Sequence, residues 1–349
     1  MDILRLTYRI FLACLVAASV SCSKGSFDSG TQEVDVPVKF HPLVNVDMKS
    51  NSLINGGAEL RSYSISLFAN AVKDGIKYPV FRNERLYYGD EGWDYASTQY
   101  WIRSASYSFA AFAPYAVADG LTVAGKTLSN GNVSVSGNDA EPVMTISDYD
   151  TGCYFGDARS EDLLVAHYTR DNSLMNDYSP VPLTFGHILS CIRFSIRNTT
   201  NEDITKVSEI KLSGLKYKGS ITLSTTSLSV SVNEQTGSFA SSERTSAGTQ
   251  TPFLPKGMQV TDYKPLFDCE YLTLFPQQLF GNEDIVLSFK LHYGDADASG
   301  SPYTLNLGNV DTVRKWVEGN KYDYTISITS QDVLFQVVEV PWIEHDVEL

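Results

Sequence analysis

The 349-residue chain carries 27 Lys and Arg against 41 Asp and Glu, a formal net charge of −14. That balance excludes a basic face for nucleic acid and a polybasic membrane patch. Aromatics at 12% and charged residues at only 19%, with frequent Ser, Thr and Val, select an all-β globular protein over a helical or disordered one. At this length two domains of roughly 150 residues are expected.

Residues 1–21 read as a leader: Arg5 and Arg9 precede an apolar run from Ile10 to Ala18. Small residues then lead to Cys22, as in the lipobox of bacterial lipoproteins, although Ser19 stands where Leu is usual. Cys22 is therefore the expected lipidation site, and residues 22–32 a polar tether. The alternative is an ordinary signal peptide with an incidental Cys. No later run reaches the ~20 apolar residues of a membrane span. Cys153, Cys191 and Cys269 are an odd number without close spacing, so free thiols and one pair plus a leftover both stay open.

Residues 33–46 predict the first strand, with Val34, Val36, Val38 and Phe40 in alternation and Pro37 and Pro42 marking it as an edge. Residues 47–59, rich in Asn, Ser and Gly, read as an exposed loop, and Tyr63, Ile65 and Leu67 then alternate with serines. Between Gly89 and Pro114, Trp93, Tyr100, Trp101, Tyr107, Phe109 and Phe112 fall on short strands that suit a sandwich core. Further short strands run to Tyr168, and the polar stretch from Thr169 to Ser179 is the best domain boundary. The second half repeats the pattern from Val181 onwards. Tyr322, Tyr324, Ile326 and Ile328 alternate with polar residues as a one-sided core strand. Residues 333–342 are apolar at nearly every position, as expected of a strand with partners on both faces.

Signals for chemistry are sparse. His41, His167, His187, His292 and His345 form no HExxH or zinc spacing, and P-loop, G-x-S-x-G and EF-hand patterns are missing. His187 reads as a core histidine bonded to backbone, with a ligand or catalytic role as the alternative. Asp90-Glu91 and Glu161-Asp162 read as solvated turns. Trp93 and Trp101 read as core; exposed, they could stack on a sugar. A glycosidase would need two facing carboxylates.

Four stretches together resemble a known family: the Cys22 leader, Tyr100-Trp101…Phe109…Phe112-Ala113-Pro114, Pro182-Leu183-x-Phe185-x-His187…Ile192-x-Phe194, and Gly319-x-x-Tyr322-x-Tyr324-x-Ile326 through Val340-x-Trp342. They are similar to the fimbrillin-like family of Bacteroidales type V pilus subunits and surface lipoproteins. The resemblance implies two tandem transthyretin-like Greek-key β-sandwich domains, residues 33–178 and 179–349, with no catalysis and no cofactor. It implies a lipid-anchored protein of the outer membrane and fimbrium. Its partners would be other fimbrillin subunits, joined by β-strand addition, and a host protein or glycan receptor. A protease would cut after a basic residue past the first strand, Arg61 or else Lys49, and a neighbour's strand would fill the groove. The exchanged strands would carry Val34, Val36, Val38 and Phe40 at one end and Phe335, Val337, Val338, Val340 and Trp342 at the other. Only seven residues follow Trp342, which fits an accessory, tip or anchor subunit better than a stalk subunit. The other function carried from the sequence is a monomeric lipoprotein that binds a glycan or host ligand.

Overall fold

A computed structural model describes residues 33–44, 54, 57–117, 126–151, 161–246, 251–259, 261–294, 297, 299–330 and 332–341. Cys22, Lys49, Cys153, Trp342 and His345 lie outside the described residues, as does the side chain of Val340. Strands β1 (Glu33–Pro37) and β2 (Phe40–Val44) precede a single helical turn, α1 (Gly57–Leu60). Then come β3 (Ile65–Lys73), β4 (Ile76–Gly89), β5 (Gly92–Tyr95), β6 (Tyr100–Ile102) and β7 (Ser106–Ala113). The hairpin of β8 (Asn132–Ser136) and β9 (Val143–Asp150) leads to β10 (Leu164–Asp171) and β11 (Val181–His187). Next are β12 (Ser190–Asn198), the long β13 (Ile204–Lys216), β14 (Lys218–Ser224), β15 (Leu228–Val232) and β16 (Thr236–Ala240). Four short strands follow: β17 (Arg244–Thr245), β18 (Lys264–Pro265), β19 (Leu272–Leu274) and β20 (Gln277–Gln278). The chain closes with β21 (Val286–Tyr293), β22 (Ser301–Asn306), β23 (Lys315–Trp316), β24 (Asn320–Ile328) and β25 (Val333–Pro341).

Two sheet pairs each enclose a core among the described residues, and the described fold is nearly all β. A seven-stranded sheet, β2-β11-β10-β7-β3-β4-β5, and a four-stranded sheet, β15-β14-β9-β8, share one core. Phe68, Phe112 and Val165 of the larger sheet there join Met144, Ile146, Ile221 and Leu223 of the smaller. The second core has β18-β12-β24-β25 on one side and β16-β13-β21-β22 on the other. It is filled by Phe194, Tyr324 and Ile326 with Leu212, Leu287 and Phe289.

Strand sharing cuts across the residue 178/179 boundary. β11, expected to open the second half, pairs with β10 and β2, and β14 pairs with β9 from Lys218↔Asp150 to Ser224↔Val143. The physical reason lies in β8 and β9, which alone would be a two-stranded ribbon with one apolar face, marginal in water. Ile221 and Leu223 of β14 extend that face. By sheet membership the chain leaves the seven-stranded sheet at His187 and enters the second core's sheet at Ser190.

Four local expectations are corrected. The run 33–46 is two strands: Pro37 has no N–H for a ladder, β1 ends there on β6, and the chain steps across to β11 as β2. Residues 57–60 of the expected loop form α1. In β3 both the apolar and the serine faces are buried, because the sheet is covered on both sides. Ser66 is buried, and its hydroxyl accepts the Ala116 N–H. Glu161-Asp162 is no solvated turn: Asp162 is 2% exposed, held by the bonds described below.

Candidate functional site

β2 is an edge strand by hydrogen bonding, the position that Pro42 within it predicts. It pairs in parallel with β11 from Val181↔Phe40 to Phe185↔Val44, and has no second neighbour among the described residues. By burial it belongs to the core. Val38, Phe40 and Val44 are 0%, 6% and 2% exposed, while Lys39 and His41 face out. The Phe40 ring meets Phe81, Tyr95 and Phe109 edge-on at 5.6–5.9 Å. Tyr95 Oη donates to the Val38 carbonyl at 2.7 Å, and Val38 N–H donates to Gln99 O at 2.9 Å. Val34 and Val36, on β1, are only half-buried.

The chain beyond β2 is pinned at one described point. Ile54 is fully buried, and its N–H donates to Asp162 Oδ2 at 3.1 Å. Asp162 Oδ1 lies 2.8 Å from His187 Nδ1, at the end of β11. The partner of this buried histidine is thus a carboxylate, where the sequence suggested a backbone group. Arg61 follows α1 in an exposed turn closed by Arg61 N→Gly57 O and Ser62 N→Glu59 O, and β3 begins only at Ile65. Its guanidinium rests 4.7 Å from the centre of the Tyr88 ring.

The other edge is β25. It pairs antiparallel with β24 from Asn320↔Pro341 to Ile328↔Val333 and closes its sheet. Val333, Phe335 and Val337 pack on the second core half-buried, with Phe335 stacked on Tyr324 at 5.3 Å. Leu334 and Val338 are 54% and 58% exposed. The expectation of partners on both faces is therefore corrected: one face packs, and the other lies in solvent. Val340 pairs with Lys321 through the backbone.

The rings invoked for sugar stacking separate. Trp101 is fully buried, 4.7 Å from Tyr107 and capped by the Arg170 guanidinium at 5.1 Å. Trp93 is half-buried, edge-on to Tyr88 at 5.4 Å. A platform built on Trp101 is thereby overturned. Cys191 and Cys269 are free thiols; burial pushes the Cys269 thiol up to about 12.

The sequence model of the family described as fimbrillin-like matches residues 61–342. Among solved structures, a fimbrial protein from Bacteroides vulgatus aligns over 88% of this chain and 100% of its own, at 16% identity and a TM-score of 0.53. A candidate cell adhesion protein from Bacteroides ovatus aligns over 89% of this chain and 99% of its own, at 16% identity and a TM-score of 0.51. Likeness at such identity shows a shared fold. None of the curated proteins matches the sequence.

Proposed function

This chain belongs to the fimbrillin-like family, and from that premise we propose that it is a fimbrial subunit of accessory, tip or anchor type. It acts in pilus assembly and adhesion at the cell surface by β-strand exchange, held at the outer membrane through lipidated Cys22. The observation that carries this reading is β2, a strand with one hydrogen-bonded neighbour among the described residues, whose inward side chains are buried like those of a central strand. Burial of Val38, Phe40 and Val44 is worth about 5–9 kcal/mol at ~1.5–3 kcal/mol per side chain. A whole domain is stable by only about 5–15 kcal/mol. An emptied β2 groove would therefore need a replacement strand, which supplies backbone bonds to β11 and apolar side chains at alternate positions.

The two cleavage candidates have different consequences. A cut after Lys49 removes β1 and β2 and leaves Ile54 in the mature chain, bonded to Asp162. A cut after Arg61 also removes Ile54 and Leu60, both fully buried. The test is mass spectrometry of surface material resolved on SDS gels. SDS-resistant ladders whose subunits begin at Ser62 or Ser50 are expected of a polymerising subunit. Protein that is monomeric and begins at lipidated Cys22 would sink the strand-exchange reading.

A further inference from the structure

A second site lies on the outer face of the second core, away from both edges. The β13–β21 ladder sets Lys206 opposite His292 and Ser208 opposite Lys290. Val207 and Leu291 between them are fully buried, so by strand alternation these four side chains project to the other face. Ser208 Oγ lies 2.7 Å from Nε2 of its diagonal neighbour His292. On the far side of the ring, His292 Nδ1 lies 2.7 Å from the backbone carbonyl of Asp297. A carbonyl oxygen only accepts, so Nδ1 carries the proton and the Nε2 lone pair receives the Ser208 hydroxyl.

The imidazole is locked in that pose. His292 is 4% exposed, and Gly300, at φ +65°, packs so closely that an added Cβ would stand 2.7 Å from the ring. The Asp297 carboxylate accepts Gly300 N–H at 3.0 Å and Tyr293 N–H at 3.2 Å, which anchors the residue supplying that carbonyl. Directly after Ser208, Glu209 holds a left-handed φ of 50°, where the ladder with β21 shifts register. Non-glycine residues in this region concentrate at functional sites. Ser208 opens onto a cleft of about 650 Å³, lined also by Lys206, Glu209, Glu243, Lys290 and Ser299, with no apolar residue among the described lining.

We propose that Ser208 and His292 are the nucleophile and general base of an acyl-ester hydrolase site for short acyl groups on polyhydroxylated alcohols, such as O-acetylated sugars. Ser208 Oγ attacks the ester carbonyl carbon as its proton passes to His292 Nε2. The C–O bond to the alcohol breaks, and the leaving oxygen takes that proton. Water then attacks the acyl-Ser208 carbon, giving a proton to Nε2; the Oγ–acyl bond breaks, Oγ recovers the proton and the carboxylic acid leaves. Lys206 and Lys290 line the same cleft, paired with Glu243 at 3.3 Å and Glu209 at 2.6 Å, and in this proposal supply the cations that stabilise the developing oxyanion. A polar cleft suits a sugar and an acetyl group and leaves a fatty-acyl chain without an apolar wall.

The test uses the full-length chain and a fluorophosphonate probe, read by intact mass and peptide mapping, with 4-nitrophenyl acetate and laurate as chromogenic esters. One adduct, on Ser208, is expected, together with faster release from the acetate than from the laurate. Ser208→Ala should abolish the adduct, and His292→Asn should slow labelling by about 100-fold or more, the range of general-base catalysis. Urea-unfolded wild-type protein should lose the labelling, a control that holds even if a variant does not fold. No adduct on the folded wild type, an adduct elsewhere, or equal labelling in urea or in His292→Asn overturns the proposal.

Discussion

β2 and β25 are both outer strands, and they are outer strands of different kinds. β2 has five residues, a parallel partner and the inward side chains of Phe40 and Val44 at 6% and 2% exposure, with Phe40 among aromatic rings. β25 has nine residues and an antiparallel partner, packs half-buried side chains on its core, and leaves Leu334 and Val338 in solvent. Hydrogen-bond topology alone calls both of them edges. Burial separates a strand whose loss opens a core from one whose outer face is already free to meet another chain. The first property suits the acceptor side of a strand exchange and the second an added contact.

The largest expected effect comes from truncating one aromatic residue on each strand. Phe40→Ala should cost about 3–5 kcal/mol, as for a fully enclosed Phe. Phe335→Ala, half-buried and stacked on Tyr324 alone among the described rings, should cost about 1–2 kcal/mol, since burial is incomplete. Urea unfolding of both variants reads the difference. Equal losses would show that β2 is no more enclosed than β25, and the distinction would fall.

Much of this contrast was legible in the sequence, and its limits have physical causes. Pro37 and Pro42 marked the edge correctly because a missing N–H acts locally. The break between β1 and β2 was hidden because Val34, Val36, Val38 and Phe40 alternate straight through it, and alternation does not record which sheet a strand joins. In residues 333–342 the apolar run was visible, yet the solvent-facing side of Leu334 and Val338 was not, because that depends on whether another layer covers the sheet. Trp101 read as core and is core. His187 drew notice on its apolar run, but its partner Asp162 sits 25 positions away, and the doublet Glu161-Asp162 looks like any exposed turn. Ser208 and His292 come together only through the β13–β21 register, to which spacing along the chain gives no clue.

A smaller effect tests the support beneath the chain that leaves β2. Glu161, next to Asp162, accepts the Ser129 N–H on Oε1 at 2.7 Å, while Oε2 is buried. Burial pushes its carboxyl up to about 7. An unfolded glutamate titrates near ~4.3, so between there and about 7 the unfolded chain releases a proton that the folded chain retains. Stability should therefore fall as pH rises through that window and stay lower above it. At about 1.4 kcal/mol per pH unit, discounted for incomplete burial, the loss is about 1–3 kcal/mol. Urea unfolding at pH 5 and pH 8, compared with Glu161→Gln, isolates it. A pH slope that survives in Glu161→Gln would assign the loss to other groups. Hydrogen exchange should show the loosening on the β2 side sooner than in β24 and β25.

The smallest effect on stability should accompany a large effect on association. Leu334 and Val338 face solvent, so replacing both by Lys removes little buried area and should change unfolding free energy by about 0.5 kcal/mol or less. Charge on an open edge opposes pairing with another strand, since a lysine row must lose hydration to be covered. If the outer face of β25 meets a second subunit, Leu334→Lys with Val338→Lys should weaken SDS-resistant ladders while monomer stability holds. If the ladders persist unchanged, β25 is an edge that nothing uses, and exchange at the β2 groove must do without it. Phe40→Ala provides the opposite pattern, a weakened monomer whose β25 edge is intact, so the two variants together tell loss of fold from loss of contact.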